Sequence, residues 1–416
     1  MARNLIEGVN QMKLLLFEDK LRENFFPLTL TRFTGDLRCG ALKLRQRLEA
    51  LLTDDEVSFL IDSSIEDLYS ERHPDWQINL IKPGDKLFVN CLLKYSPTLF
   101  DKIQTLDHEQ ALVQGNALVA YRSNKDHGSF DPDSVLKQFG ISTENVDDAL
   151  YKHPADLVHD NGRMITYDFD NFFSDKDNSF ETEPGATILN PYNVWLGEGV
   201  ELKPGVVIDA SDGPVIIDND ALLMHNSVVI GPAYIGKNSI IKVAAKIYEN
   251  CSIGPVCKVG GELEACIIQA YTNKQHDGFL GHSYLGEWVN LGADTNNSDL
   301  KNTYKNVVMH SYNDRPPFDT NTMFMGCIIG DHTKLGINST INTGCVVGTG
   351  SNLWGRDLIS GYIPEFSWGE ASLLQPYRID AFLSTAQLVK QRRQLKLSNK
   401  ERSLYTSIYH RYQENQ

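Results

Sequence analysis

From Ile217 onward, a branched aliphatic residue recurs at every sixth position: Ile217, Leu223, Val229, Ile235, Ile241, Ile247, Ile253 and Val259. The same step restarts at Met323 and runs through Ile329, Leu335, Ile341, Val347, Leu353 and Ile359. A short run at Leu196, Leu202 and Ile208 precedes both, and Leu285 and Leu291 lie between them. Four positions after each aliphatic the residue is small, as in Ala221, Ser227, Ala233, Ser239, Ala245, Cys251 and Cys257, and later Cys327, Thr333, Ser339, Cys345 and Ser351.

A period of six fits neither a helix at 3.6 nor an alternating strand. It fits a triangular coil of short strands, with the aliphatic inside, the small residue at the corner, and frequent glycines such as Gly236, Gly254 and Gly330 tolerating the turn. Three hexads close one coil, so residues 18 apart stack at strand spacing, about 4.8 Å. The pattern predicts a left-handed parallel β-helix of roughly six or seven coils, about 30 Å tall. Cys327 and Cys345, 18 apart, are expected to stack as two buried thiols rather than as a disulfide.

The flanks carry no hexads. "KLLLF" (13–17), "VSFLID" (57–62), "DKLFVN" (85–90) and "NALVAYR" (116–122) read as strands, and "GALKLRQRLEALL" (40–52) as an amphipathic helix. The expected organisation is an α/β domain over 1–170, a polar linker over 171–185, the β-helix over 186–369 and a helical tail over 370–416. In that tail, "RIDAFLSTAQLVKQRRQLKL" reads as one helix, and "SNKE" (398–401) has the spacing of a capping box opening a second. Its basic residues, Lys390 to Arg402, read as a solvated face, with contact to a coenzyme phosphate as the alternative.

With 41% hydrophobic and 22% charged residues, the chain has an ordinary globular composition. A net charge of −15 argues against non-specific nucleic-acid binding and against an anionic membrane surface. No segment reads as a signal peptide or as a membrane span. Seven cysteines without a CxxC pair fit a reduced, cytoplasmic setting better than a disulfide framework or a structural zinc site.

The hexads fail between Val259 and Leu285, and again between Leu291 and Met323. Such breaks are expected to leave the prism as loops, the second projecting far through "NDRPPFDTN". Loops on a rigid scaffold are where sites tend to be built.

Over nearly its whole length the sequence resembles a known family. The segments "PLTLTRFTGDLRCG", "GHSYLGEWVNLGADTNNSDLKN" and "PEFSWG" resemble the bifunctional N-acetylglucosamine-1-phosphate uridyltransferase/glucosamine-1-phosphate acetyltransferase family. They are closest to its Bacteroidetes-type branch of sugar nucleotidyltransferases with a hexapeptide-repeat domain. A gapless match to the family's acetyltransferase loop implies His276 as the catalytic base, Asn290 as a sugar-binding residue, and Ala293 and Asn338 beside the coenzyme. Lys246 falls on a residue that binds substrate phosphate, and Asp299 on a substrate-side asparagine. His282 is the rival base, through a looser match of "GHSYLG". Phe279, Glu264 and Asp299 depart from the family's tyrosine, lysine and asparagine, which puts the usual substrate in question.

The chemistry the resemblance implies needs such groups. A neutral histidine takes the proton of an attacking amine, a hydrogen-bond donor stabilises the thioester oxyanion, and a cation holds a sugar phosphate. The expected cosubstrate is acetyl-CoA and the expected acceptor an amino-sugar phosphate, in a homotrimer. In the first domain, "LTLTRFTGDLRCG" stands where the family has a glycine-rich phosphate loop, so Arg32, Asp36, Arg38 and Gly40 are candidates for a substitute phosphate site for UTP or a UDP-sugar. Mg2+ is expected only if that site is active, and Asn90 stands where the family has a magnesium aspartate. Two further readings stay open: a nucleotidyltransferase whose β-helix only trimerises it, and a non-catalytic trimeric scaffold. A zinc site of His276, His282 and His310 is a minor alternative.

Overall fold

The computed structural model describes residues 12–52, 57–137, 140–178, 185–310 and 316–413. These fall into two compact units. The first holds the described residues of 1–23, 33–36 and 44–152. The second holds 24–32, 37–43 and everything from 153 on.

The first unit is built on a seven-stranded mixed sheet. Its strands are β1 (Lys13–Phe17), β2 (Val57–Leu60), β3 (Gln77–Ile78), β4 (Lys86–Asn90), β5 (Gln110–Gln114), β6 (Ala117–Ser123) and β7 (Ser142–Asn145), in the order β3-β2-β1-β4-β6-β5-β7. The first four run parallel, and β6 is antiparallel to β4 and β5. Helices α1 (Leu44–Leu52), α2 (Ser63–Arg72), α3 (Pro97–Gln104) and α4 (Pro132–Val135) accompany it. Leu14 to Phe17 are all buried, as a strand of continuous apolar residues covered on both faces requires.

The second unit is a left-handed parallel β-helix whose strands stack on three faces. Face I starts at Thr187–Leu189, face II at Val194–Leu196 and face III at Glu201–Leu202. Each face carries nine coil strands, although face I is split into ladders of six and three. The prism is therefore nine coils and about 40 Å tall, against the six or seven expected. Hexad aliphatics from Leu196 to Ile359 form one buried column, with Ile217, Leu223, Val229 and Ile235 at 0% exposure; Met323 is the exception, 43% exposed in the inserted segment rather than inside the prism. At the corners, L-residues such as Asn226, Asn238, Asn250 and Asn338 adopt left-handed backbone, with φ of +57 to +61°. All seven cysteines are free and buried, and Cys327 and Cys345 stand one position before paired strands.

The missing coils lie where the hexads were taken to fail. Between Val259 and Leu291 the chain never leaves the prism. Its inward residues there are Leu263, Ile268, Lys274, Leu280 and Leu285. The pairing step shrinks to 15 residues (Ser252↔Ile267) and then 17 (Ile267↔Tyr284). The register was lost because two coils are shortened and because one inward aliphatic is a lysine. Lys274 pairs in register with Val259, is 2% exposed, and donates to the carbonyls of Gly260 and His276. Only the second break is an insertion. Across it the step is 44 residues instead of 18 (Tyr284↔Ile328), so 26 residues leave the prism between faces I and II. They carry a short hairpin, Val308–Met309 with Phe318–Asp319, and part of "NDRPPFDTN" lies outside the described residues.

The expected first domain ends at 170, but helix α5 (Pro154–Phe172) belongs to the second unit, against face II. So does the segment "LRCGALK" (37–43). Gly40 N–H donates to Asn161 Oδ1 on α5, while Ser252 Oγ donates to Gly40 O. The expected linker 171–185 begins inside α5, and its residues 179–184 lie outside the described ones. At the far end Ser367–Glu370 and Leu373–Pro376 pair antiparallel and close the prism. Helices α6 (Ile379–Gln391) and α7 (Asn399–Gln413) follow. Ser398 and Glu401 form the capping box in both directions, at 3.0 and 3.1 Å. Tyr271, Trp288 and His332 stack as a ladder up the corner between faces II and III, with centroids 4.3 and 5.8 Å apart. Phe382 of α6 and Tyr405 of α7 meet His332 edge-on.

Candidate functional site

The two candidate histidines stand at different corners. His276 is exposed at the corner between faces III and I. Backbone bonds run up that corner from Asp294 N–H to Asp277 O and from Asn338 N–H to Ala293 O. His276, Ala293 and Asn338 are thus brought to one edge in successive coils. Lys246 lies on face I, exposed, 3.4 Å from Glu262. Asn290 lies on face III, between Asn273 and Lys334 in the ladder.

His282 occupies the corner between faces I and II, with a left-handed φ of +43°. That conformation is strained for a non-glycine residue and persists only where the surroundings impose it. Here His282 N–H donates to Glu264 O, and Gly326 N–H donates to His282 O. The side chain is 15% exposed, and its Nδ1 lies 2.9 Å from Asp299 Oδ2. An ionised carboxylate only accepts, so this bond places a hydrogen on Nδ1 and leaves the Nε2 lone pair free.

The insertion builds the walls of this site. Asp299 opens the inserted segment, and its carbonyl accepts from Met325 N–H near the end. The Phe324 ring stacks on His282 at 5.3 Å. From α5, the His159 ring lies 6.1 Å away. Burial, and then the neighbouring His282, hold His159 below the usual histidine range. Burial also raises Glu264, against the opposing pull of His282. The arrangement is an imidazole oriented by a carboxylate in a half-enclosed, partly aromatic corner. That is the geometry a proton-accepting base needs.

Among the described residues no group of three or more His, Cys, Asp or Glu side chains is placed to hold a metal ion. His276 and His282 occupy separate corners, so the zinc alternative does not assemble.

The proposed substitute phosphate loop is engaged elsewhere. Arg32, 3% exposed, donates to Asp331 at 2.7 and 2.8 Å and to Leu28 O, with Glu287 at 3.8 Å. Thr31 Oγ1 adds a bond to Asp331 at 2.6 Å. Arg38 is buried, donates to Ala41 O and lies 5.0 Å from the Tyr234 ring centroid. Its backbone N–H donates to Gln269 and Tyr284. Asp36, in the first unit, accepts from Arg45 and Tyr69 at 2.7 Å each. Arg32 and Asp36 are buried with charged partners in place, and Arg38 is enclosed although its Nε has no partner, so the three are not an open phosphate site. Nothing in the local sequence signals Asp331 as the partner of Arg32, because 299 positions separate them.

The first unit has a cavity of its own, of about 430 Å³, beyond the carboxyl ends of β1 and β2. Ligands of open α/β sheets favour that edge. Glu18 and Asp19 follow β1, and burial raises both carboxyls. Asn90, at the end of β4, donates to Asp19 Oδ2 at 3.0 Å. Six acidic residues but only two cations, Lys20 and Arg22, line the cavity. Among the described residues its carboxylates do not form a group of three or more placed to hold a metal ion by themselves.

Residues 14–177 match the family described as Sugar nucleotidyl transferase, a span of less than half of the chain. The chain is also similar to the Bifunctional protein GlmU of several bacteria. It is 25% identical to that of Synechococcus elongatus over 201 residues, which is 44% of this chain and 40% of that one. It is 27% identical to that of Wigglesworthia glossinidia brevipalpis over 265 residues, 60% and 52% of the two chains. The chain therefore spans about half the length of the curated relatives it matches, or less. Among solved structures, the UDP-N-acetylglucosamine acyltransferase from Campylobacter jejuni is 14% identical, covering 57% of this chain and 91% of that one, with a TM-score of 0.29. No helix among the described residues is long and apolar enough to cross a membrane.

Proposed function

We propose that this protein is a transferase of amino-sugar metabolism. Its β-helix moves an acetyl group from acetyl-CoA to the amine of an amino-sugar phosphate or nucleotide sugar. The observation that carries this reading is the bond between His282 Nδ1 and Asp299. It orients Nε2 to take the proton as the amine attacks the thioester carbon. The C–N bond forms, the C–S bond breaks, and the CoA thiolate leaves and is protonated. Similarity to the Bifunctional protein GlmU supports the class of reaction. The base in this reading is His282, because His276 is exposed and has no side-chain partner among the described residues to fix its tautomer.

We further propose that the protein works as a homotrimer, since the members of the site set fall on different faces and corners of one prism. The test is thiol release from acetyl-CoA by the full chain with glucosamine 1-phosphate or a UDP-amino sugar as acceptor. Acceptor-dependent release supports the reading. No release above acetyl-CoA hydrolysis with any amino sugar overturns it.

A second reading concerns the first unit, where the family match and the strand-end cavity favour sugar-1-phosphate nucleotidyl transfer. The acidic lining repels a bare triphosphate. Diphosphate release from UTP and a sugar 1-phosphate, with and without Mg2+, tests it separately. No release under either condition removes this reading.

A further inference from the structure

Face III carries a column of in-register residues that has no part in the His282 corner. Lys258, Asn273, Asn290 and Lys334 pair successively up the ladder. The column spans about 14 Å at strand spacing. Alongside it, the C-terminal end of α6 brings Arg392 and Arg393. Arg393 donates to Asn273 Oδ1 at 3.1 Å. Together they line a cavity of about 260 Å³, with Asn290, Lys334 and the edges of Tyr271 and Trp288.

The charges there are unbalanced. Among the described residues neither Lys258, Arg392 nor Arg393 forms an ion pair, although the chain as a whole is at −15. Among the described residues Lys334 forms no ion pair, with Asp331 the carboxylate near enough to act on it and itself bonded to Arg32, and it donates to the carbonyls of Trp288 and His332, at 2.6 and 2.9 Å. Burial, and then repulsion from Arg393, Lys242 and Arg392, push Lys258 below the usual lysine range. Burial brings Lys334 down to about 7. Cations gathered without counter-charges raise the energy of the empty protein, and a bound anion relieves it.

We propose that this cavity binds a phosphorylated small molecule, its phosphoryl oxygens held between Lys334 on the prism and Arg392 and Arg393 at the end of α6. Guanidinium groups hold such oxyanions through charge-assisted bonds. The amides of Asn273 and Asn290 supply neutral contacts for the rest of the ligand. Face III lies opposite the corner between faces I and II, so this site is separate from His282 in the same chain and does not depend on the acetyl-transfer reading.

The test is calorimetry on the full chain at low ionic strength with inorganic phosphate, diphosphate, UDP and CoA in turn. At least one is expected to bind saturably. The double variant Arg392→Gln, Arg393→Gln should weaken it at least about tenfold, as loss of charge-assisted bonds does. Lys258→Gln should weaken it less, and His282→Gln should leave it unchanged. Near pH 8 binding should take up protons as Lys334 recharges, read from two buffers of different ionisation enthalpy. Tight binding of phosphate alone marks the phosphoryl group as sufficient, whereas preference for CoA or UDP identifies the ligand class. Absence of saturable binding by all four, or binding that survives the double arginine variant, overturns the proposal.

Discussion

Asp299 Oδ2 lies 2.9 Å from His282 Nδ1, across 17 positions of sequence, with the histidine at a corner of the prism and the carboxylate at the root of its inserted loop. His282→Gln should therefore lower kcat for acetyl transfer by about 10²–10⁴-fold, the usual size of general-base catalysis. Acetyl-CoA affinity should change little. His276→Ala should stay within a few-fold of the parent. A steady-state comparison of the two variants decides between the histidines, and an inactive His276 variant with an active His282 variant reverses the assignment.

Asp299→Asn keeps the size of the side chain but removes the acceptor that fixes the tautomer. The amide can present its own N–H to Nδ1, which turns the lone pair away from the acceptor amine. We expect kcat to fall while KM for acetyl-CoA holds. If KM alone rises, Asp299 binds substrate rather than orienting the base.

Arg32 and Asp331 form a buried pair at 2.7 Å. Arg32→Ala strands Asp331, which is 3% exposed, with only Thr31 and the Glu287 N–H as donors. Breaking one side of such a pair costs about 3–5 kcal/mol. Urea titration followed by the signal of the β-helix unit should show an earlier midpoint. An unchanged midpoint means the pair contributes nothing net.

Lys274 is enclosed in the prism, and burial lowers its pKa to about 8. In the unfolded chain it titrates near 10.4. Between those values the unfolded chain binds more protons, so stability rises with pH across the window. The contribution is complete above about 10.4 and lost as pH falls through about 8. Lys274→Met should flatten this slope relative to the parent, measured by denaturant midpoints from pH 7.5 to 10. A slope identical in both proteins contradicts a buried lysine with a lowered pKa.

The β-helix was legible in the sequence because its physics is local and repeated. An inward aliphatic every six residues and a small buried residue four positions later, just past the corner, are imposed on each coil alike, so Ile217 to Val259 announce the architecture. The same was true of the capping box at Ser398 and Glu401, since both partners lie within one turn. The reading lost its register at 263–285, where shortened coils moved the inward positions off the sixth residue and Lys274 replaced an aliphatic. A lysine is acceptable inside only because the carbonyls of Gly260 and His276 accept its hydrogen bonds, and those partners are set by coil closure.

Only the tertiary structure sets the surroundings of the candidate residues. His276 and His282 are equivalent in composition and six residues apart, yet a corner of the prism separates them, and only the return of the inserted loop gives one of them a carboxylate. The face III cavity joins strands to the end of α6 across about 120 residues. Arg32 looked like a phosphate ligand until the fold buried it against Asp331. Periodic burial is written into neighbouring residues, whereas pairing between distant charges is written only in the path the chain takes.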